Sequence, residues 1–284
     1  MLLYNRDDYI PISNLKYQGV ILVSTSDIDI SALEQRLTST RIGRPLRILS
    51  QIDSTNEEIK RNLAENLPEG AVIIADRQTL GRGRLGRSWH SEPGSGLYIS
   101  TLLRPPLPPE SLACITLMAG VATASTLQQH APVKLKWPND ILLNGKKLAG
   151  ILCEYVPKRD TLPAIIVGIG INLNHTHFPK NIQESATSLQ LETGITADRT
   201  DIAFNLLQNL DSEHEKFRQG KRENLIQKWT EQTDMFGKTI TVYQKGNSLT
   251  GKALGLDPQG KLILQTPQGD QKVLDSGEVS FNPL

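Results

Sequence analysis

Three absences narrow the field before any motif is considered. The 284-residue chain has only two cysteines, Cys114 and Cys153, both in apolar runs and without metal-ligand or redox-pair spacing. They are expected to be buried free thiols rather than a disulfide framework. No apolar run approaches the ~18 residues needed to cross a bilayer. The start, MLLYNRDDYIP, has neither the apolar stretch nor the small-residue cleavage site of a secretory signal, so a cytoplasmic protein without membrane contact is expected. Charge of one sign is also missing: 31 Lys and Arg balance 30 Asp and Glu to a net +1. No bulk field draws the chain to nucleic acid, so any phosphate chemistry must come from a local basic cluster.

What is present is ordinary globular composition, 38% hydrophobic and 21% charged, in a length that suits about two domains. Residues 1–44 are weakly patterned, with a short strand at Val20–Val23 and a helix-like stretch at Ala32–Leu37, and are set apart as an N-terminal extension of unknown role. A catalytic domain is expected over 45–236. Asp53-Ser54-Thr55-Asn56 opens a helix, Thr55 and Glu58 standing in capping-box spacing, with Ile59, Leu63 and Leu67 as its apolar stripe. Strands are predicted at Ala71–Ala75, Leu97–Leu103 and Lys134–Trp137, with a long Ala- and Gly-containing helix at about 111–129. Asn144-Gly145 signals a type I′ hairpin between Ile141–Leu143 and Leu148–Cys153, and Ala164–Leu173 reads as a buried central strand. Ile202, Leu206 and Leu210 mark one further helix, and Leu225, Ile226 and Trp229 another. From Gly237 the texture changes to short strands at Thr239–Tyr243, Leu249–Ala253, Lys261–Gln265 and Gln271–Leu274 with Gly-rich turns, a small β-barrel domain over 237–284.

Three segments carry the chemistry. In GRGRLGR (81–87), Gly81, Gly83 and Gly86 alternate with Arg82, Arg84 and Arg87. Glycines let backbone approach a ligand, and arginines offer forked donors to carboxylate and phosphate oxygens. Three arginines on one short loop should repel unless they share an anion. The loop is not a Walker loop. In KLKWPNDILLNGKKLAGILCE (134–154), Lys147 enters an apolar strand, where it either snorkels or neutralises a buried charge. In GIGINLN (168–174), the G-x-G lacks the last glycine of a dinucleotide fingerprint, and Asn172 either serves a ligand or caps backbone. His175 and His177 read as surface histidines with no third metal ligand evident, Trp137 and Trp229 as core, and Trp89 as the candidate for stacking on a ligand.

DSTN, GRGRLGRSW, KWPND with KLAGIL, and GIGIN occur here in the order and spacing of the biotin–protein ligases. The chain closely resembles that family from about Arg41 to Glu154 and at Gly168–Asn174, the resemblance covering with the tail about four-fifths of its length. The tail, with GKALGLDPQGKLIL and SGEVS, resembles the family's C-terminal barrel more loosely. The resemblance implies an α+β fold: a mixed β-sheet with helices packed against one face, related to class II aminoacyl-tRNA synthetases, plus a small SH3-like β-barrel. It implies ATP-dependent formation of biotinyl-5'-AMP and transfer of biotin to a lysine of a biotin carboxyl carrier protein domain, as in acetyl-CoA carboxylase.

Carried over motif by motif, the resemblance assigns biotin to Ser54, Thr55, Asn56, Gln78, Gly81, Arg82, Gly83, Arg84, Lys147 and Gly150. It assigns ATP to Arg82, Arg84, Arg87, Trp89, Lys136, Asn139, Asp140, Lys147 and Asn172, with Lys147 and Arg84 catalytic. Mg2+ would arrive with ATP, near Asp140. Two alternatives are a lipoate or octanoate ligase of the same fold, against which the intact GRGRLGRSW argues, and a bifunctional ligase–repressor. A winged helix-turn-helix takes roughly 60 residues, and the segment before Ile48 lacks the helix pair, so DNA binding is not expected. Homodimerisation is left open.

Overall fold

The computed structural model describes residues 26–63, 67–105, 112–157, 163–244 and 246–281; the strand expected at Val20–Val23 lies outside them. Seven strands form a mixed sheet: β1 (Leu46–Ile52), β2 (Val72–Gln78), β3 (Gly96–Leu103), β4 (Lys134–Lys136), β5 (Asp140–Leu143), β6 (Lys146–Val156) and β7 (Ala164–Asn172). Their spatial order is β1-β2-β3-β7-β6-β5-β4, and only the β1–β2 pair is parallel. A parallel pair cannot be joined by a tight turn. The link here is α2 (Thr55–Asn62), which packs on β2, β3 and β7.

That helix corrects one expectation, because helices cover both faces of the sheet. α3 (Leu112–Leu127), α5 (Arg199–Arg218), α6 (Arg222–Glu231) and α1 (Ile30–Arg36) share the main core with one face. Ile59 of α2 belongs to a second, smaller core with Ile73, Leu102 and Ile166 on the other. Strand alternation separates the two: Ile165, Val167, Ile169 and Ile171 of β7 enter the main core, and Ala164 and Ile166 the second. The long apolar α3 is buried almost all round, as its small residues suggest; a Cβ at Gly120 would come within 3.3 Å of Leu135 Cδ2.

Local signals are largely borne out. Asn144 and Gly145 both take positive φ (49° and 79°), as a type I′ turn requires. The capping box does not form: Ser54 is the N-cap, without a side-chain cap bond, and the Thr55 hydroxyl turns to Gln78. Glu58 bonds Arg61 and Asn62 instead. Leu67 packs in the second core from beyond the helix, which ends at Asn62. Three elements were not expected: β1, α4 (Leu189–Thr193), capped by Ser188, and β12 (Glu278–Ser280).

The tail forms a separate antiparallel sheet of β8 (Thr239–Gln244), β9 (Asn247–Leu256), β10 (Leu262–Gln265), β11 (Gln271–Leu274) and β12, in the order β11-β10-β9-β8-β12. It is joined to the large sheet's core through Trp137, fully buried, whose indole N–H donates to the Gly260 carbonyl at 3.1 Å. Trp229 is core as expected. Both cysteines are free, and burial pushes their thiols up, Cys153 to about 12, so neither is a nucleophile at neutral pH.

Candidate active site

The face of the sheet opposite the main core is bare along part of its length. On β6 and β7 the residues pointing to that side include Gly150, Gly168 and Gly170, and together they make a floor. The missing side chains matter. A Cβ at Gly168 would lie 2.3 Å from Asn56 Oδ1, and one at Gly170 only 2.4 Å from the Trp89 ring. Above this floor is an open cleft lined by α2, the end of β2, the arginine–glycine loop, β5, β6 and β7.

One wall is the start of α2 with the end of β2. Thr55 donates from its backbone N–H (2.9 Å) and its hydroxyl (3.1 Å) to Gln78 Oε1. Ser100 Oγ, from β3, lies 2.7 Å from Thr55 Oγ1 and 2.5 Å from Asn56 Oδ1. The Asn56 amide donates to Glu154 Oε2 at 2.8 Å, and Lys60 to Glu154 Oε1 at 2.8 Å. Ser54, Thr55, Asn56 and Ser100 are all buried. This is a rigid polar network suited to reading fixed donors and acceptors on a neutral ligand headgroup.

The arginine–glycine loop forms the roof as a small hairpin. Gly83 N–H donates to the Arg87 carbonyl (2.7 Å) and Trp89 N–H to the Gly81 carbonyl (2.8 Å), with a tight turn at Arg84–Gly86. Leu85 sits at its tip with φ of 56° and is 76% exposed. Carboxylates of the protein itself offset the expected mutual repulsion. Arg82 pairs with Glu57, and Arg87 with both carboxylate oxygens of Glu278 in β12. Arg84 bonds only a neutral amide, Asn139 Oδ1 at 2.9 Å, and burial lowers its pKa below the usual arginine value, opposed by the nearby Asp140 carboxylate. It is the roof arginine with charge left for an incoming anion.

The far end of the cleft is basic. Lys147 Nζ lies 2.6 Å from Asp140 Oδ1, and Lys136 Nζ 4.0 Å from Asp140 Oδ2. Lys147 stays in the ladder opposite Leu142 of β5, and its N–H donates to Ser185 O (2.8 Å) while its carbonyl accepts from Thr187 N–H (3.0 Å). Lys147 is therefore held over the floor by its backbone bonds, with its ammonium engaged by Asp140. Trp89 lies on Gly150 and Gly170, its ring 5.5 Å from Lys147 Nζ, and its buried indole N–H has no partner.

Residues 48–172 match the Biotin/lipoate A/B protein ligase family, and residues 235–282 the Biotin protein ligase C terminal domain. The bifunctional ligase/repressor BirA of Bacillus subtilis is 35% identical over 80% of this chain and 70% of its own length. The biotin--[acetyl-CoA-carboxylase] ligase of Mycobacterium tuberculosis is 32% identical over 89% of this chain and 95% of its own. The chain belongs to the biotin protein ligase family.

Among solved structures, the biotin protein ligase from Aquifex aeolicus in complex with biotin and ATP superposes with a TM-score of 0.72 at 34% identity, covering 83% of this chain and 97% of that one. Within this biotin protein ligase fold, Ser54, Thr55, Asn56, Gln78, Arg82, Gly83, Arg84, Arg87, Trp89, Lys136, Asn139, Asp140, Lys147 and Gly150 all line the one cleft. Gly81 and Asn172 do not. Gly81 closes the base of the hairpin, and Asn172 turns its amide to the Thr187 carbonyl at 3.0 Å, the backbone-capping role.

Sequence reasoning missed Ser100 and Glu154, Gly168 and Gly170 as floor, and Gly277, Glu278 and Val279, which the tail contributes to the lining. Ser100 had a signal, a polar residue inside the apolar strand GLYISTLL. Residues 277–279 had none. His175 is a further correction: it is 0% exposed, stacked on Phe178 at 5.1 Å, and burial lowers its pKa to about 4, whereas His177 is exposed.

Proposed function

We propose that in this biotin protein ligase the biotin carboxylate attacks the α-phosphate of ATP and displaces pyrophosphate, and that a lysine amine of a carrier domain of the acetyl-CoA carboxylase type then attacks the biotinyl carbonyl and displaces AMP. The observation that supports this best is the convergence of Arg84 and Lys147 on the adjacent residues Asn139 and Asp140, at one end of a glycine floor whose other end is the neutral Thr55–Gln78–Ser100–Asn56 network. Attack of a carboxylate on a phosphate brings two anions together, and fixed cations on both make that approach tolerable. The polar network would read the uncharged biotin head. Trp89, with its orphan indole N–H, would meet the nucleotide base. The roof hairpin would exclude water from the acyl-adenylate, which hydrolyses readily.

Asp140 is the carboxylate placed to meet a metal at the cationic end, and it is already engaged by Lys147 and Lys136. One carboxylate fits Mg2+ that arrives on ATP and keeps most of its oxygen ligands from phosphate and water. Its chemistry there is neutralisation of phosphate charge. The attacking amine comes from the acceptor, so no enzyme nucleophile is required. We further infer a cytoplasmic protein divided into a catalytic unit over 45–236 and an accessory unit over 237–284; no helix among the described residues is long and apolar enough to cross a membrane. The test is ATP–pyrophosphate exchange, with biotin, lipoate and octanoate supplied in parallel. Exchange with biotin alone is expected; exchange driven by lipoate or octanoate and not by biotin overturns the reading.

A further inference from the structure

Outside the cleft, the segment following Trp89 folds back toward the end of β7. There His90, Glu92 and His175 each offer one ligand atom, and the three atoms lie within 4.8 Å of one another. Among the described residues no other group of three His, Cys, Asp or Glu side chains gathers so closely, and none of the three lines the cleft. His175 is held on two sides, by the Phe178 ring and by Tyr98, whose Oη lies 3.3 Å from His175 Nε2. The same Tyr98 hydroxyl accepts from Glu92 N–H (3.0 Å) and donates to the Glu92 carbonyl (3.2 Å), which ties the Glu92 backbone to His175. The His90 ring centroid is 5.9 Å from that of His175. His175 Nδ1 is buried and has no hydrogen-bond partner.

We propose that His90, Glu92 and His175 form a binding site for one zinc-class transition-metal dication, which fastens the segment after Trp89 to the end of β7. Two imidazoles and a carboxylate are the protein donor set of three-ligand zinc sites, with the fourth position left to solvent. Imidazole donors favour Zn2+, Co2+ or Ni2+, whereas Mg2+ and Ca2+ take oxygen. Tetrahedral ligation brings donors to about 3.3 Å from one another, closer than the 4.8 Å limit here. His90 and Glu92 are only half-buried and can close the difference by side-chain rotation, while His175 is fixed by packing. The nearby Arg199 guanidinium disfavours positive charge at His175, and its pairs with Asp27 and Asp76 offset part of that effect. His177 is exposed and belongs to no such group, so it serves as the control.

The proposal is independent of the ligase reading, and its test uses the metal alone. The untagged full-length chain, stripped with chelator, is titrated with Co2+ followed by visible absorption, with stoichiometry from equilibrium dialysis. One equivalent is expected to bind with a d–d band. His90→Ala and Glu92→Gln should each weaken binding by at least about tenfold, and His177→Ala should leave it unchanged. Zn2+ should raise the thermal midpoint of the unsubstituted chain but not of His90→Ala or Glu92→Gln. Absence of a one-equivalent site, or a loss smaller than tenfold in both variants, overturns the assignment. Either partly exposed variant suffices if the other fails to fold.

Discussion

Strand β7 serves two different purposes on its two sides. Ile165, Val167, Ile169 and Ile171 fill the main core beneath α3, while Gly168 and Gly170, one residue out of phase, leave the cleft floor open. Over Val167–Ile171 one side works by the volume its side chains occupy and the other by the volume they leave, while Ala164 and Ile166 at the start of the strand fill the second core. Stability and ligand binding should therefore separate by residue parity along a single strand, with little crosstalk.

The largest test of that separation is Lys147→Ala. Removing a fixed cation from the cleft should cost about 3–4 kcal/mol of transition-state stabilisation, or about 10²–10³ in pyrophosphate exchange. Its partly exposed pair with Asp140 is worth about 1 kcal/mol or less to folding. Urea denaturation beside the exchange assay checks both halves, and a large stability loss would break the division.

Next come two neighbours on opposite faces. Gly170→Ala should weaken ATP binding by about tenfold, roughly 1.4 kcal/mol, because the new methyl must displace Trp89 from the floor. Its urea midpoint should barely move, since Trp89 belongs to the roof and not to the core. Ile171→Val, fully buried in the main core, should lower stability by about 0.5–1.5 kcal/mol and leave exchange per folded molecule unchanged. Isothermal titration with ATP and urea melts of both variants compare them directly; similar profiles would show the faces to be coupled.

The smallest effect is expected at the seam between the two sheets. Glu278→Gln frees Arg87 from the tail, but both side chains are largely exposed, so the pair contributes at most about 1 kcal/mol. Exchange should change by less than about fivefold, and the difference should vanish at high salt, where such pairs are screened. A loss as large as that at Lys147 would mean that the tail is a working part of the cleft.

Much of the fold could be read from local pattern. The Asn144-Gly145 turn, the long α3 and the alternating tail strands each depend on interactions within a few residues of chain. The capping box at Thr55 failed because a distant partner, Gln78, took the hydroxyl that local spacing assigned to the helix end. His175 was misplaced for a similar reason. A histidine after a buried strand is polar by composition, and only the approach of Tyr98 and Phe178 makes it core.

The candidate site divides along the same line. Its motifs were visible because glycines and arginines at short spacing are scarce by chance and have a direct chemical meaning. Their pairing was not. Whether the roof arginines repel or are neutralised depended on Glu57, Asn139 and Glu278, the last 191 residues away from Arg87. The sequence by itself determined which residue types could bind anions, where the chain turns, and which strand faces are apolar, because these follow from backbone preference and side-chain period. Only the tertiary structure decided that Ser100 and Glu154 would lock the polar wall, that the glycines of β6 and β7 would become a floor, and that His90, Glu92 and His175 would meet. Such contacts are set by sheet order and close packing, which bring together groups that no short-range force relates.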